Sequence, residues 1–131
     1  MSRGAATPAE PVAVVATRRF AGVSPDALWE AVGDPADLEA AVTLVDATAS
    51  VTTREYPHVS LDLAGEGDYG GLTGTVCLKV DAHEFAALLH WESRLRPTSD
   101  LVTLRPRDLR PVLTRFADRY AGVVGAQLGS G

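Results

Sequence analysis

From Asp108 to Leu128 apolar residues recur at steps of three and four: Leu109, Val112, Leu113, Phe116, Tyr120, Val123 and Val124. At about 100° per residue these positions gather on one stripe, with Arg115 and Asp118 opposite, and the spacing predicts a long amphipathic helix. Asp108 is the expected cap, with Pro111 still in the first turn, where its missing N–H goes unneeded. Gly129, Ser130 and Gly131 follow the stripe. So long an aromatic-bearing face needs a large apolar partner.

The preceding segments supply one, because there the period is two. Val12 to Phe20 alternates as a first strand. Val45, Ala47, Ala49 and Val51 alternate with Asp46, Thr48, Ser50 and Thr52. Tyr56 and Pro57 break that row, and Val59, Leu61 and Leu63 resume it against Ser60 and Asp62. After a turn expected at Gly65 to Gly71, Leu72, Val76, Leu78 and Val80 form the next inward row. Phe85, Ala87, Leu89, Trp91 and Leu95 then oppose Glu84, His90, Glu92, Arg94 and Arg96 on the longest strand, and Leu101 to Leu104 makes a short last one. Short turns between successive strands predict an antiparallel meander.

Between the first and second strands lies a double helix-start signal. Ser24 can cap a helix, Pro25 suits its first position, Asp26 favours the positive end of the dipole and Gly33 the stop. Asp34, Pro35 and Asp37 repeat the pattern, with Leu38, Ala41 and Val42 on the buried side. Two short helices meeting at a tight elbow are expected, with Trp29 anchoring the first.

Composition narrows the function classes. A chain of 131 residues, 46% hydrophobic and 22% charged, is the size and make-up of one globular domain. Met1 to Pro11 lacks periodicity and reads as a disordered leader before a single domain at 12–131. No apolar run approaches the ~18 residues of a membrane span and no signal peptide is evident, so a cytoplasmic protein is expected. A net charge of −5 argues against nucleic acid, which needs a concentrated basic surface. With a single lysine among twelve basic residues, the other eleven are arginine, a bias that fits a GC-rich bacterial genome. Cys77 is alone, so an internal disulfide is excluded.

The order strand, two short helices, antiparallel meander, long terminal helix resembles the helix-grip fold of the START/SRPBCC superfamily, which includes polyketide cyclase-like proteins. The local match runs from Phe20 to Val42, where Val23-Ser24-Pro25-Asp26-Ala27-Leu28-Trp29-Glu30-Ala31-Val32 precedes Gly33-Asp34-Pro35 and Asp37-Leu38. The resemblance implies an α+β domain whose curved antiparallel sheet, of six or seven strands, wraps the C-terminal helix. It also implies a cavity between them for a lipid, polyketide or aromatic molecule. Six strands can be counted where the superfamily usually has seven, leaving the cavity small, open at one edge, or completed by a second subunit in a homodimer.

Such a ligand would touch Val51, Thr53, Glu55, Leu61, Tyr69, Val76, Leu89, Trp91, Ser93, Phe116 and Tyr120. Tyr120, Tyr69, Tyr56, Thr53 and Ser93 would orient it, and a tyrosine or Arg105 would polarise a carbonyl. The aromatic set either touches to make a dry core or lines a void. Glu55 continues the inward row of Val51 and Thr53 toward a cavity mouth, or is a charge at a fraying strand end.

Other chemistry is poorly supported. Gly65-x-Gly67-x-x-Gly70 matches a dinucleotide fingerprint as a string, but a strand follows where a helix is required, and Glu66 and Asp68 would repel phosphate. His83 and His90 stand on opposite sides of a strand with no third ligand, so no metal is expected. Asp62, Glu66 and Asp68 lack the spacing of a calcium loop. No nucleophile elbow occurs, and no cofactor is expected. Three readings follow: a binding protein for an apolar small molecule, a polyketide cyclase or aromatase-like enzyme acting on a poly-carbonyl chain, or an accessory protein that docks a partner without ligand.

Overall fold

The computed structural model describes residues 10–68, 70–98 and 106–129. The elements run β1 (Val12–Ala21), α1 (Pro25–Ala31), α2 (Pro35–Ala41), β2 (Asp46–Glu55), β3 (His58–Gly67), β4 (Gly70–His83), β5 (Ala86–Thr98) and α3 (Pro106–Gly129). The strands form one antiparallel sheet in the order β1-β5-β4-β3-β2. Five strands are thus present among the described residues, not six or seven. The sixth expected strand, Leu101 to Leu104, lies outside them, as do Met1 to Ala9, Tyr69 and Arg105.

The alternation works as a buried face against a wet one. Val59, Leu61 and Leu63 of β3, Leu72, Val76, Leu78 and Val80 of β4, and Ala87, Leu89, Trp91, Ser93 and Leu95 of β5 are all buried. Their neighbours Asp62, Lys79, Glu92 and Arg94 are exposed. Directly paired residues share a face, so the register Leu61↔Val76, Val76↔Ser93 and Leu78↔Trp91 makes this wall continuous across three strands.

Three helices cover the wall. On α3, Leu109, Leu113, Phe116, Tyr120 and Val124 are buried, whereas Val112 and Val123 lie at the margin of the stripe. The helix starts at Pro106, ahead of the expected Asp108 cap, so Pro111 falls inside it and offers no N–H to the carbonyl four residues back. Helix α3 follows the free edge of β1. Arg110 Nη1 donates to the Ala13 carbonyl at 2.5 Å, and Arg18 pairs with Asp118. The elbow forms as the caps dictate: Ser24 Oγ accepts from the Ala27 amide at 3.1 Å and Asp34 Oδ1 from the Ala36 amide at 2.9 Å. Helix α2 bridges α3 and the outer strand, because Gln127 Nε2 donates to Asp37 at 2.8 Å and Glu39 Oε2 accepts the Ala49 amide at 2.8 Å.

Two local readings change. Phe85 does not open the inward row of β5; it is 95% exposed, because the β4–β5 turn passes through it with a left-handed φ of 58°, and Ala87 takes the inward place. The glycine stretch is mostly strand: β3 and β4 remain paired up to Gly67↔Gly70. A Cβ at Gly65 would stand 2.7 Å from the Asp46 carbonyl, which is why side chains are missing there.

Candidate functional site

The polar atoms that point into the wall come from β5 and α3. Trp91 and Ser93 are two apart on β5, so both side chains stand on the inward face, with backbones about 6.8 Å apart. Trp91 Nε1 and Ser93 Oγ are buried, and neither has a hydrogen-bond partner among the described residues. Leaving such a group unpaired costs about 1–3 kcal/mol, and protein interiors rarely tolerate it. Facing them, the Tyr120 ring lies 5.7 Å from the Trp91 ring, centre to centre, at 49°.

The Tyr120 hydroxyl oxygen accepts the Gly33 amide of the elbow at 3.0 Å. That bond uses the oxygen and leaves the hydroxyl proton to be given elsewhere. Burial pushes the Tyr120 pKa up from 10 to about 12; the Gly33 hydrogen bond pulls the other way, and the charges of Asp37 and Asp34 add to the rise against that of Arg54. At neutral pH Tyr120 is therefore a donor, never a base.

Leu61, Val76, Leu89 and Phe116 complete the surroundings, each at most 2% exposed. Of the seven expected site residues brought together here (Leu61, Val76, Leu89, Trp91, Ser93, Phe116 and Tyr120), all are buried. Of the two arrangements left open by the sequence, contact or void, the described side chains show contact. Clefts also open at the surface among the described residues, and Trp91 borders one of them. One of about 400 Å³ lies between Gly22–Pro25 and the turn before β5. A second, of about 310 Å³, includes Val15, His58, Cys77 and His90, and a third, of about 530 Å³, includes Thr48, Ser50, Asp62 and Thr75. Neither Phe116 nor Tyr120 borders any of them.

Val51, Thr53 and Glu55 do not join this group; all are exposed near the end of β2, and Tyr69 lies outside the described residues. Val51 still pairs with buried Leu61 and is exposed on an edge strand, whereas a register shift between Val51 and Thr53 accounts for Thr53 and Glu55. One extra residue reverses the facing of everything after it, so Arg54, paired with buried Val59, takes the inward side while Glu55 pairs with exposed His58. Arg54 then reaches the elbow. Its guanidinium donates to the Val32 carbonyl at 2.7 Å and the Trp29 carbonyl at 3.0 Å, and its carbon lies 4.3 Å from the Trp29 ring centre. Tyr56 closes the stack edge-on to Trp29, with ring centres 5.1 Å apart. Sequence reading missed Arg54 because the only signal, polar Thr52 and Thr53 in succession, does not distinguish a bulge from a wet strand end.

The histidines sit on the outer face. His90 Nδ1 is 3.0 Å from Thr17 Oγ1, and its Nε2 is 3.6 Å from Asp81. No group of three or more possible metal ligands occurs among the described residues. No helix among them is long and apolar enough to cross a membrane.

A five-stranded curved antiparallel sheet closed by an elbow of two short helices and a long C-terminal helix is a helix-grip fold, shared with solved structures that include a START superfamily protein and an ARO/CYC protein. The likeness is to solved structures. A conserved protein from Geobacillus kaustophilus is 13% identical with a TM-score of 0.73, over 88% of this chain and 94% of that one. A START superfamily protein from Mycobacterium smegmatis is 6% identical with a TM-score of 0.57, over 90% and 97%. The di-domain ARO/CYC StfQ from the steffimycin biosynthetic pathway is 10% identical with a TM-score of 0.53, over 89% of this chain and 50% of that one. No family model matches the sequence, and no curated protein does.

Proposed function

We propose that the chain binds a small, largely apolar molecule between β5 and α3. The supporting observation is the pair of orphaned polar atoms, Trp91 Nε1 and Ser93 Oγ, inside an otherwise aliphatic and aromatic wall. A finished core has its polar groups paired, whereas a ligand site presents a few of them amid apolar surface. The described side chains meet one another there, so a ligand must part them. Affinity would come from apolar burial at about 25 cal/mol per Å², less the costs of ordering and of opening. Similarity in fold to a START superfamily protein is compatible with this reading.

One observation favours the cyclase or aromatase-like reading as a second choice. Tyr120 holds its proton, with the Gly33 amide polarising its oxygen, and could donate to a substrate carbonyl as charge develops there. Fold similarity to an ARO/CYC protein is compatible with it.

Native mass spectrometry of freshly purified protein tests the proposal. A co-purified adduct of a few hundred daltons, lost on denaturation, is expected. A bare chain that also takes up nothing from a panel of apolar compounds would contradict it and favour the docking reading, which needs no interior ligand.

A further inference from the structure

Phe85 stands where a hairpin turn ordinarily keeps a small or polar residue. His83 pairs with Ala86, so Glu84 and Phe85 make a two-residue turn, and Phe85 carries a φ of 58° that glycine or asparagine adopts easily and a bulky side chain does not. Its ring is almost wholly exposed. The tip is nonetheless fixed, because the Gly22 amide donates to the Phe85 carbonyl at 2.8 Å and Arg19 Nη2 to the Glu84 carbonyl at 3.5 Å. In the single chain the turn therefore combines backbone strain with an aromatic ring in water, and a ring so exposed packs on too little to offset either. Beside it lies the open cleft of about 400 Å³, walled by Val23, Pro25, Ala82 and Ala86, with Phe85 at its rim. A phenyl ring fits there, yet the chain's own ring points to solvent.

We propose that this hairpin end is an interface between two copies of the chain, in which the Phe85 ring of each enters the cleft of the other, between Val23 and Ala82. Knob and hole stand side by side on one surface, so a two-fold axis through the rim exchanges them, and a single chain supplies both halves of the contact. The charges agree. Arg19 is positive and Glu84 and Asp26 are negative, all exposed around the cleft, so a second copy meets a rim of mixed sign, whereas a rim of one sign would repel its own copy. Burying one aromatic side chain takes about 150–250 Å² from water. Two rings and the walls they cover fall short of the ~1,200 Å² of a standard interface, so the dimer is weak, with a Kd of about 0.1–1 mM.

Sedimentation equilibrium of the intact chain, from about 0.02 to 2 mM so as to span that Kd, tests the proposal. The average mass should rise from that of the monomer toward that of the dimer. Phe85→Gly removes the ring and relieves the turn, and Ala82→Glu puts a carboxylate in the cleft with the ring left in place. Each should weaken association about tenfold or more. Both positions are exposed, so both variants should fold, as far-UV circular dichroism would confirm. In a mixture of ¹³C-labelled and unlabelled chains, filtered nuclear Overhauser effects should join the Phe85 ring of one chain to the Val23 methyls of the other. A chain that stays monomeric throughout would overturn the proposal, as would an association that survives Phe85→Gly. Contacts between Phe85 and Val23 found only within one chain would also overturn it, by making the ring a cap on its own cleft.

Discussion

The Tyr120 hydroxyl accepts the Gly33 amide at 3.0 Å, tying the middle of the C-terminal helix to the elbow between the two short helices, 87 positions away. Gly33 adopts φ 94°, a left-handed value open to glycine, and a Cβ there would run into the Arg54 guanidinium. One small residue therefore lets helix, elbow and β2 meet. Tyr120 in turn holds its ring against Trp91, so the same side chain orders the elbow and borders the candidate site.

Tyr120→Phe keeps the ring but leaves the buried Gly33 amide without its acceptor. A loss of about 1–3 kcal/mol is expected in urea unfolding. An unchanged midpoint would show that the bond is replaced by water at no cost.

The raised pKa of Tyr120 also fixes the sign of an alkaline effect. Between the ordinary value of 10 and about 12 the folded chain keeps a proton that the unfolded chain has released. The contribution is fully present below pH 10 and is lost as pH rises toward 12. Wild-type stability minus that of Tyr120→Phe, followed across this window by urea unfolding, should shrink; a difference that grows with pH would reverse the assignment.

Arg54→Lys keeps the charge and discards the planar fork that spans two carbonyls and the Trp29 ring. Arg54 is exposed, so the expected cost is modest, about 1 kcal/mol. The change should be visible in Trp29 fluorescence, isolated in a Trp91→Phe background. Glu55→Gln, on the outward side of the bulge, should be silent in both readouts.

Ser93→Ala should raise the stability of the ligand-free protein by about 0.5–1 kcal/mol, because it removes an orphaned hydroxyl and leaves a methyl in an apolar wall. The same change should weaken binding of the proposed interior ligand. Stability and binding moving in opposite directions is the expected signature of a polar group kept for a ligand; a destabilised Ser93→Ala would mark the hydroxyl as structural.

Much of the fold was legible because its signals are local. Ser24-Pro25 and Asp34-Pro35 cap the two helices they predict, and the period-two rows of β3 and β4 are buried as written. Trp91 and Ser93 are buried where strand alternation stays in phase, and Phe116 and Tyr120 where the three- and four-residue spacing of α3 does. Thr53 and Glu55 were misplaced because a bulge costs one residue and shifts everything beyond it, Val51 keeps its inward register but is exposed on the edge strand, and Phe85 was misplaced because a left-handed turn residue has no hydrophobic signature. The Gly33–Tyr120 bond joins distant segments, and nothing in either segment announces its partner.

The central claim is one of place: an apolar ligand sits between β5 and α3, not in a surface cleft. Intermolecular nuclear Overhauser effects between bound 2-acetylnaphthalene and the protein methyls test it most directly. Contacts to Leu89 and Leu113, both buried within the wall, are the expected result. Contacts confined to Val15 on the outer face, or to Val23 beside the cleft that precedes α1, would contradict it.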